Sequence, residues 1–228
     1  MLQVRLHSQR LPQKALLPLA GVPVITHVLR ALKRMTVDVY ALLTDSRSVD
    51  TLAPAAEREG FSVFVGPEDD VLARYARAVE HYGVRRVVRA TGDNPLASAR
   101  AAEALLEIHE REKFELSHFL NNPLGTGVEA VEATTLLEAD KRARDPHERE
   151  HITTYLYRHA ESYRIGEIPC PESWAFRQAR VTLDTEEDYA LLQDIFTELY
   201  KGCPIEIEEV VRWLRRNTIR RNTKVDGD

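Results

Sequence analysis

Short β-rich runs alternate with segments of helical apolar spacing through the first half of this chain, and that alternation leaves few folds open. Residues 2–6, 37–43, 61–65 and 86–90 are rich in Val, Leu and aromatic side chains and end in Gly, Pro, Asp or polar clusters, the signals of strands. Between them Ile25, Val28, Leu29, Leu32 and Met35 recur at helical spacing, as do Val71, Tyr75, Ala78, Val79 and Tyr82, and then Ala101, Leu105 and Ile108. Strand, helix, strand in succession predicts an α/β fold: a mainly parallel central sheet with helices on both faces and right-handed crossovers. The second half is less regular. Residues 126–131, 164–168 and 180–183 read as strands, and 136–143, 147–159, 185–200 and 207–216 as helices. No Gly/Ser-rich linker interrupts the chain, so residues 1–221 are read as one domain and 222–228 as a frayed tail.

Composition narrows the function classes. Thirty-one basic and 36 acidic residues leave a net charge of -5, which offers no surface for nucleic acid or membrane. The late cluster Arg212, Arg215, Arg216, Arg220 and Arg221 reads as a solvated helix face. Cys170 and Cys203 have neither ligand spacing nor a disulfide framework. No apolar stretch approaches the roughly 18 residues of a membrane span. A cytoplasmic protein is expected.

In open α/β sheets, ligands bind beyond the carboxyl ends of the strands. The segment leaving the first strand, Ser8-Gln9-Arg10-Leu11-Pro12-Gln13-Lys14, brings Arg10 and Lys14 close behind Arg5. Three cations in ten residues suit a polyphosphate: Arg binds phosphate in bidentate fashion, and Lys supplies a point charge. Leu16, Leu17 and Leu19 follow at once and anchor the loop. Asp93 and Asp184 also follow predicted strands. A pair of carboxylates suits Mg²⁺, which takes one or two of them plus phosphate oxygens and water. From spacing alone, Asp93-Asn94-Pro95 is equally an ordinary turn, and Asp184 with Glu187 a helix N-cap and capping box.

The run Arg5-x-x-Ser8-Gln9-Arg10-Leu11-Pro12-Gln13-Lys14, continued by Leu17-Pro18-Leu19-Ala20-Gly21-Val22-Pro23, resembles the opening signature of the sugar-acid cytidylyltransferases, in particular their spore-coat polysaccharide synthesis branch. Four further runs resemble that family in order: Asp70-Val71-Leu72-Ala73-Arg74-Tyr75, Arg89-Ala90-Thr91-Gly92-Asp93-Asn94-Pro95-Leu96, Arg149-Glu150-His151-Ile152-Thr153, and Thr182-Leu183-Asp184-Thr185-Glu186-Glu187-Asp188. The resemblance implies a GT-A-like nucleotidyltransferase fold and transfer of CMP from CTP to an acidic sugar or phosphonate acceptor, with release of pyrophosphate. It also implies a homodimer. It places Arg5, Ser8 and Lys14 on the triphosphate; the charge of the loop adds Arg10, and Lys14 and Arg10 are the expected catalytic cations. Arg89, Thr91 and Asn94 border the nucleotide, Glu129 and His151 meet the acceptor, and Asp93 and Asp184 hold Mg²⁺. The family pattern has glycine where this chain has His7 and Gln13, and Asp where it has Gly127.

Three other readings compete. His147-Glu148-Arg149-Glu150-His151 satisfies H-E-x-x-H, the zinc metalloprotease pattern, but the run is charged throughout and sits at a helix start. A GT-A glycosyltransferase wants D-x-D, and the strand end carries Asp93-Asn94-Pro95 instead. A non-catalytic nucleotide-binding or assembly protein of the same fold is the third.

Overall fold

The computed structural model describes residues 1–7 and 10–225. The first strand, β1 (Leu2–Gln3), is followed by a small hairpin, β2 (Pro18–Leu19) and β3 (Val22–Pro23), and by α1 (Val24–Leu32). Strands then alternate with helices: β4 (Ala41–Thr44), α2 (Val49–Arg58), β5 (Ser62–Val65), α3 (Val71–Tyr82), β6 (Arg86–Thr91), α4 (Ala99–Glu112) and β7 (Leu116–Leu120). The remainder comprises β8 (Glu129–Glu132), α5 (Ala133–Arg142), α6 (Pro146–Glu150), α7 (Thr154–Arg158), β9 (Ile165–Pro169), α8 (Glu186–Leu199) and α9 (Ile207–Val225).

Seven strands form one sheet in the order β5-β4-β1-β6-β8-β7-β9. Only β8 runs antiparallel to its neighbours. The expected mainly parallel sheet flanked by helices is what the chain forms. Chain order runs outward from β1 through β4 to β5, then returns to β6 on the other side of β1. The crevice opened by that reversal lies at the carboxyl ends of β1 and β6, the place where such sheets bind ligands.

Burial follows the pleat. All four residues of β4 are buried, as a strand covered on both faces requires. Leu42 packs with Leu29, Leu52 and Leu105 on one face, while Ala41 and Leu43 pack with Leu72, Tyr75, Leu136 and Leu156 on the other. A third apolar cluster joins Leu19 and Val24 to Leu192, Phe196, Val210 and Trp213, so α8 and α9 close over the hairpin. Capping sets the helix starts: Asp70 accepts the Ala73 N–H at 2.9 Å and Ser98 that of Ala101 at 3.1 Å.

Several expected elements change. Residues 180–183 form no sheet strand, only a single bridge between Leu124 and Arg180. Their backbone is shared between two loops, with Val181 N–H donating to Leu124 and Leu183 N–H to Asp93, so no ladder propagates. The helix expected over 147–159 is two short helices. His151 adopts an extended conformation between them (φ -111°, ψ 92°), and the Thr153 hydroxyl turns to Glu129. The strand expected over 126–131 is shifted to β8, and the last helix continues past 216 into the expected tail. Strand β7 and helix α2 had no counterpart in the periodicity.

Gly92 is required by close packing. A Cβ there would stand 2.6 Å from Val4 Cβ and 2.7 Å from Val4 Cγ2. Gly92→Ala is expected to destabilise the protein by about 1–3 kcal/mol, the usual cost of overpacking. Urea denaturation checks this, and an unchanged midpoint would show that the contact has slack.

Candidate active site

Three chain segments meet at the crevice, and Lys14 joins them. The backbone leaves β1, and Gln13 donates its N–H back to Leu6 at 3.1 Å. A short 3₁₀ turn, Lys14–Leu16, follows, anchored by buried Ala15. The Lys14 ammonium donates to Asp93 Oδ2 at 2.6 Å, to Asp184 Oδ1 at 2.7 Å and to the Leu183 carbonyl at 2.7 Å. Its side chain is only 12% exposed. Asp93 reaches this point from the loop after β6. Asp184 is brought beside it because the Leu183 N–H donates to the Asp93 carbonyl at 3.1 Å. Gly125, at φ +103°, lets Val181 and Thr182 approach so closely that a Cβ there would lie 2.8 Å from their backbone.

Asp184 does not cap α8. Thr185 does: its hydroxyl accepts the Asp188 N–H, and Asp188 Oδ2 accepts the N–H groups of Thr185 and Asp184. The capping box thus sits one residue later than expected and leaves the Asp184 carboxylate to the site. Arg180, which the sequence reading passed over, donates to Asp184 Oδ2 at 2.9 Å, to Asp188 Oδ2 at 2.7 Å and to Thr182 at 2.7 Å. Burial works to raise the Asp184 carboxyl. The Lys14 hydrogen bond and the charges of Lys14, Arg10 and Arg180 outweigh it and hold Asp184 below the usual range.

The other two loop cations sit outside this cage. Arg10 is 71% exposed, with a guanidinium nitrogen 3.7 Å from Asp184 Oδ1. Arg5 pairs with Glu150 at 2.7 Å. Ser8 lies outside the described residues. Asn94 Nδ2 donates to Thr91 Oγ1 at 2.8 Å, which ties the loop around Asp93.

A second polar group lies alongside, on β6, β8 and β7. Glu129 Oε2 accepts from Arg89 at 2.8 Å, and Oε1 accepts from Tyr157 at 3.0 Å. Thr153 donates to both carboxylate oxygens at 3.2 Å. Arg89 also donates to Gln3 at 3.2 Å. Burial, then the charge of Glu129, push the Tyr157 phenol above its ordinary range. His151 stands at the surface, its ring tilted 4.6 Å from that of His147, and partial desolvation by the packed neighbours lowers its pKa. Thr153 and Tyr157 were missed because residues 147–159 read as one helix with an inward apolar stripe. Arg149 serves architecture: it bonds Asp70 at 2.6 Å and Asp140 at 2.7 Å, which joins two of the sequence motifs.

The H-E-x-x-H run builds no metal centre. Helix α6 ends at Glu150 with the His147 and His151 rings still side by side at 4.6 Å, but Glu148 is buried against Arg158 at 2.9 Å, and among the described residues no third ligand joins the two imidazoles. Among the described residues no group of three or more His, Cys, Asp or Glu side chains is arranged to hold a metal ion. No helix is long and apolar enough to cross a membrane among those residues.

Residues 1–215 match the family model described as cytidylyltransferase. The spore coat polysaccharide biosynthesis protein SpsF of Bacillus subtilis (strain 168) is 29% identical over 223 residues, covering 95% of this chain and 93% of that protein. A 3-deoxy-manno-octulosonate cytidylyltransferase of Anaeromyxobacter dehalogenans is 38% identical over 106 residues, covering 45% of this chain and 43% of that one. The solved structure of a cytidylyltransferase from Leptospira borgpetersenii superposes with a TM-score of 0.87 at 25% identity, covering 95% of this chain and 93% of that one. The chain belongs to the cytidylyltransferase family and is a nucleotidyltransferase.

Where the family pattern has glycine, Gln13 stands at φ 55° and ψ 24°, the left-handed region. A side chain there costs roughly 1 kcal/mol. Gln13→Gly is expected to keep nucleotide affinity, and Gln13→Val, β-branched and less tolerant of positive φ, to weaken it severalfold. Calorimetric titration with CTP checks this; equal affinities would show that the conformation at residue 13 does not govern the site.

Proposed function

We propose that this protein transfers the cytidylyl group of CTP to a sugar acid, with Mg²⁺, and that the cage of Asp93, Asp184 and Leu183 is where the cation sits. The observation that carries this reading is the position of Lys14. Two carboxylate oxygens from distant segments, plus a backbone carbonyl, converge on one cationic atom at the sheet's switch point. Hard oxygen donors of that kind suit Mg²⁺, which completes its shell with phosphate oxygens and water. Bound there, the ion supplies neutralising charge for the α-phosphate.

The chain's own residues provide the rest. Arg10, exposed beside Asp184, and Arg5, held at the mouth by Glu150, meet the triphosphate together with Lys14 and Ser8. Arg89, Thr91 and Asn94 border the nucleotide, and Glu129 and His151 face the acceptor. An acceptor oxygen attacks the α-phosphorus, the bond to the pyrophosphate oxygen breaks, and the acceptor proton is lost to solvent. Rate comes from positioning and from charge already oriented toward the phosphates. A homodimer belongs to the same reading on the strength of the family resemblance, and single-domain subunits in the cytoplasm on that of the linker-free sequence and its two unpaired cysteines.

Pyrophosphate release with CTP, Mg²⁺ and a panel of sugar acids tests the reaction. Asp93→Ala and Lys14→Ala are each expected to lower kcat/KM by about a thousandfold, as loss of a charge-stabilising group does. Unchanged turnover in both variants would sink the site assignment, and absence of turnover with every acceptor would favour the non-catalytic reading. Among nucleoside triphosphates with Mg²⁺, CTP is expected to give the largest rise in melting temperature, since a ligand at a hundred times its Kd stabilises by about 2.7 kcal/mol. Equal shifts for all four would refute cytosine selectivity.

A further inference from the structure

We infer that the Lys14 ammonium is the resident cation of this site, so that Asp93 and Asp184 accept a divalent ion only when a triphosphate draws Lys14 away. The inference rests on the metal-assisted reading above and adds an order to it. An ammonium has three protons, and Lys14 has three acceptors at 2.6, 2.7 and 2.7 Å, so its bonding capacity is filled by the cage alone. The two carboxylates that would ligate the metal are the ones it bridges. Two of its three bonds are charge-assisted at both ends, the strongest kind available to a side chain. A lysine held this way is not free to touch phosphate. A divalent ion arriving alone has to displace it and leave the ammonium, already largely withdrawn from solvent, without a partner.

A triphosphate changes that balance. It offers anionic oxygens to the ammonium at the moment the metal takes the carboxylates, so each cation leaves one set of oxygens for another. The other cations near Asp184 do not do the same work. Arg180 holds Oδ2, the oxygen that faces away from Lys14, and Arg10 is 3.7 Å from Oδ1 on an exposed side chain. Lys14 thus keeps the facing carboxylates from standing bare, and it suppresses metal binding in the absence of nucleotide.

Mn²⁺ binding without nucleotide, followed by calorimetry and electron paramagnetic resonance, tests this on the whole chain. Lys14→Met is expected to bind Mn²⁺ roughly tenfold or more tighter than the unsubstituted protein. Adding Asp93→Asn to that variant should abolish the gain. Millimolar MgCl₂ alone should raise the melting temperature of Lys14→Met and leave that of the unsubstituted protein unchanged. If Lys14→Met does not fold, Lys14→Gln serves in the same comparison. The unsubstituted protein supplies an independent measurement: reductive methylation of Lys14, read by mass spectrometry, should be slow and unaffected by Mn²⁺ alone. Equal Mn²⁺ affinity with and without Lys14, or methylation accelerated by Mn²⁺ alone, overturns the inference. Failure of every form to bind Mn²⁺, even with CTP present, overturns the metal-assisted reading and this inference with it.

Discussion

The contact on which the site depends is the triple bond set of Lys14. It spans 79 residues to Asp93 and 170 to Asp184, and it fastens the loop after β1 to the loop after β6 and to the segment entering α8. None of these segments is held in its final position by a regular ladder. The loop after β1 has the Gln13–Leu6 bond, and residues 180–184 have only isolated backbone bonds to Leu124 and Asp93. The apolar clusters fix the sheet and helices around the crevice. Lys14 then selects how its rim closes. Bringing two carboxylates together has an electrostatic cost, and a partly buried cation between them offsets it.

That closure works because neighbouring groups have been relieved of other duties. Asp184 is free to face Asp93 since Thr185 and Asp188 satisfy the first turn of α8 between them. Arg180 binds the outer oxygen of Asp184 and the cap residue Asp188 together, which fixes the carboxylate's rotation with Oδ1 inward. Gly92 and Gly125 contribute by absence of side chain: each lets backbone pass where a Cβ would collide, at Val4 and at Val181 and Thr182. The glycine missing from position 13 shows the converse. The loop still takes the left-handed turn there, carrying a side chain that such a conformation disfavours.

Much of this was legible in the sequence, and the portions that were not share a cause. The alternation of strands and helices up to residue 112 announced the sheet, because parallel strands and their crossover helices carry their own periodicities. The cations of residues 5–14 and the carboxylates at 93 and 184 were visible as residue types at expected strand ends. What periodicity misses is structure made by contacts far along the chain. Strand β7 mixes Ser117 and His118 with apolar residues because Ser117 turns inward to buried His109, a partner no local pattern reveals. Residues 180–183 look like a strand, but their backbone partners are two loops. The helix expected over 147–159 breaks at His151, with Thr153 and Tyr157 drawn to Glu129 and Arg149 to Asp70, each across at least 24 residues.

The single antiparallel strand explains why the second polar group stands beside the first. Had β8 run parallel to β6, its first residue would lie at the edge of the sheet opposite the crevice. Running the other way, it sets Glu129 opposite Arg89 on one side and His118 on the other, all at the ligand-binding edge. Residues at one register position of adjacent strands point to the same face, so the three side chains form a row. An ionised Glu129 can only accept, and it takes protons from Arg89, Thr153 and Tyr157. With its own proton spent on Glu129, the Tyr157 oxygen accepts from His118 Nδ1 at 2.9 Å. A reversal of one strand thus places beside the Lys14 cage a row of hydrogen-bonded polar groups, so that the crevice has one wall of paired charges and another of hydrogen-bonding side chains.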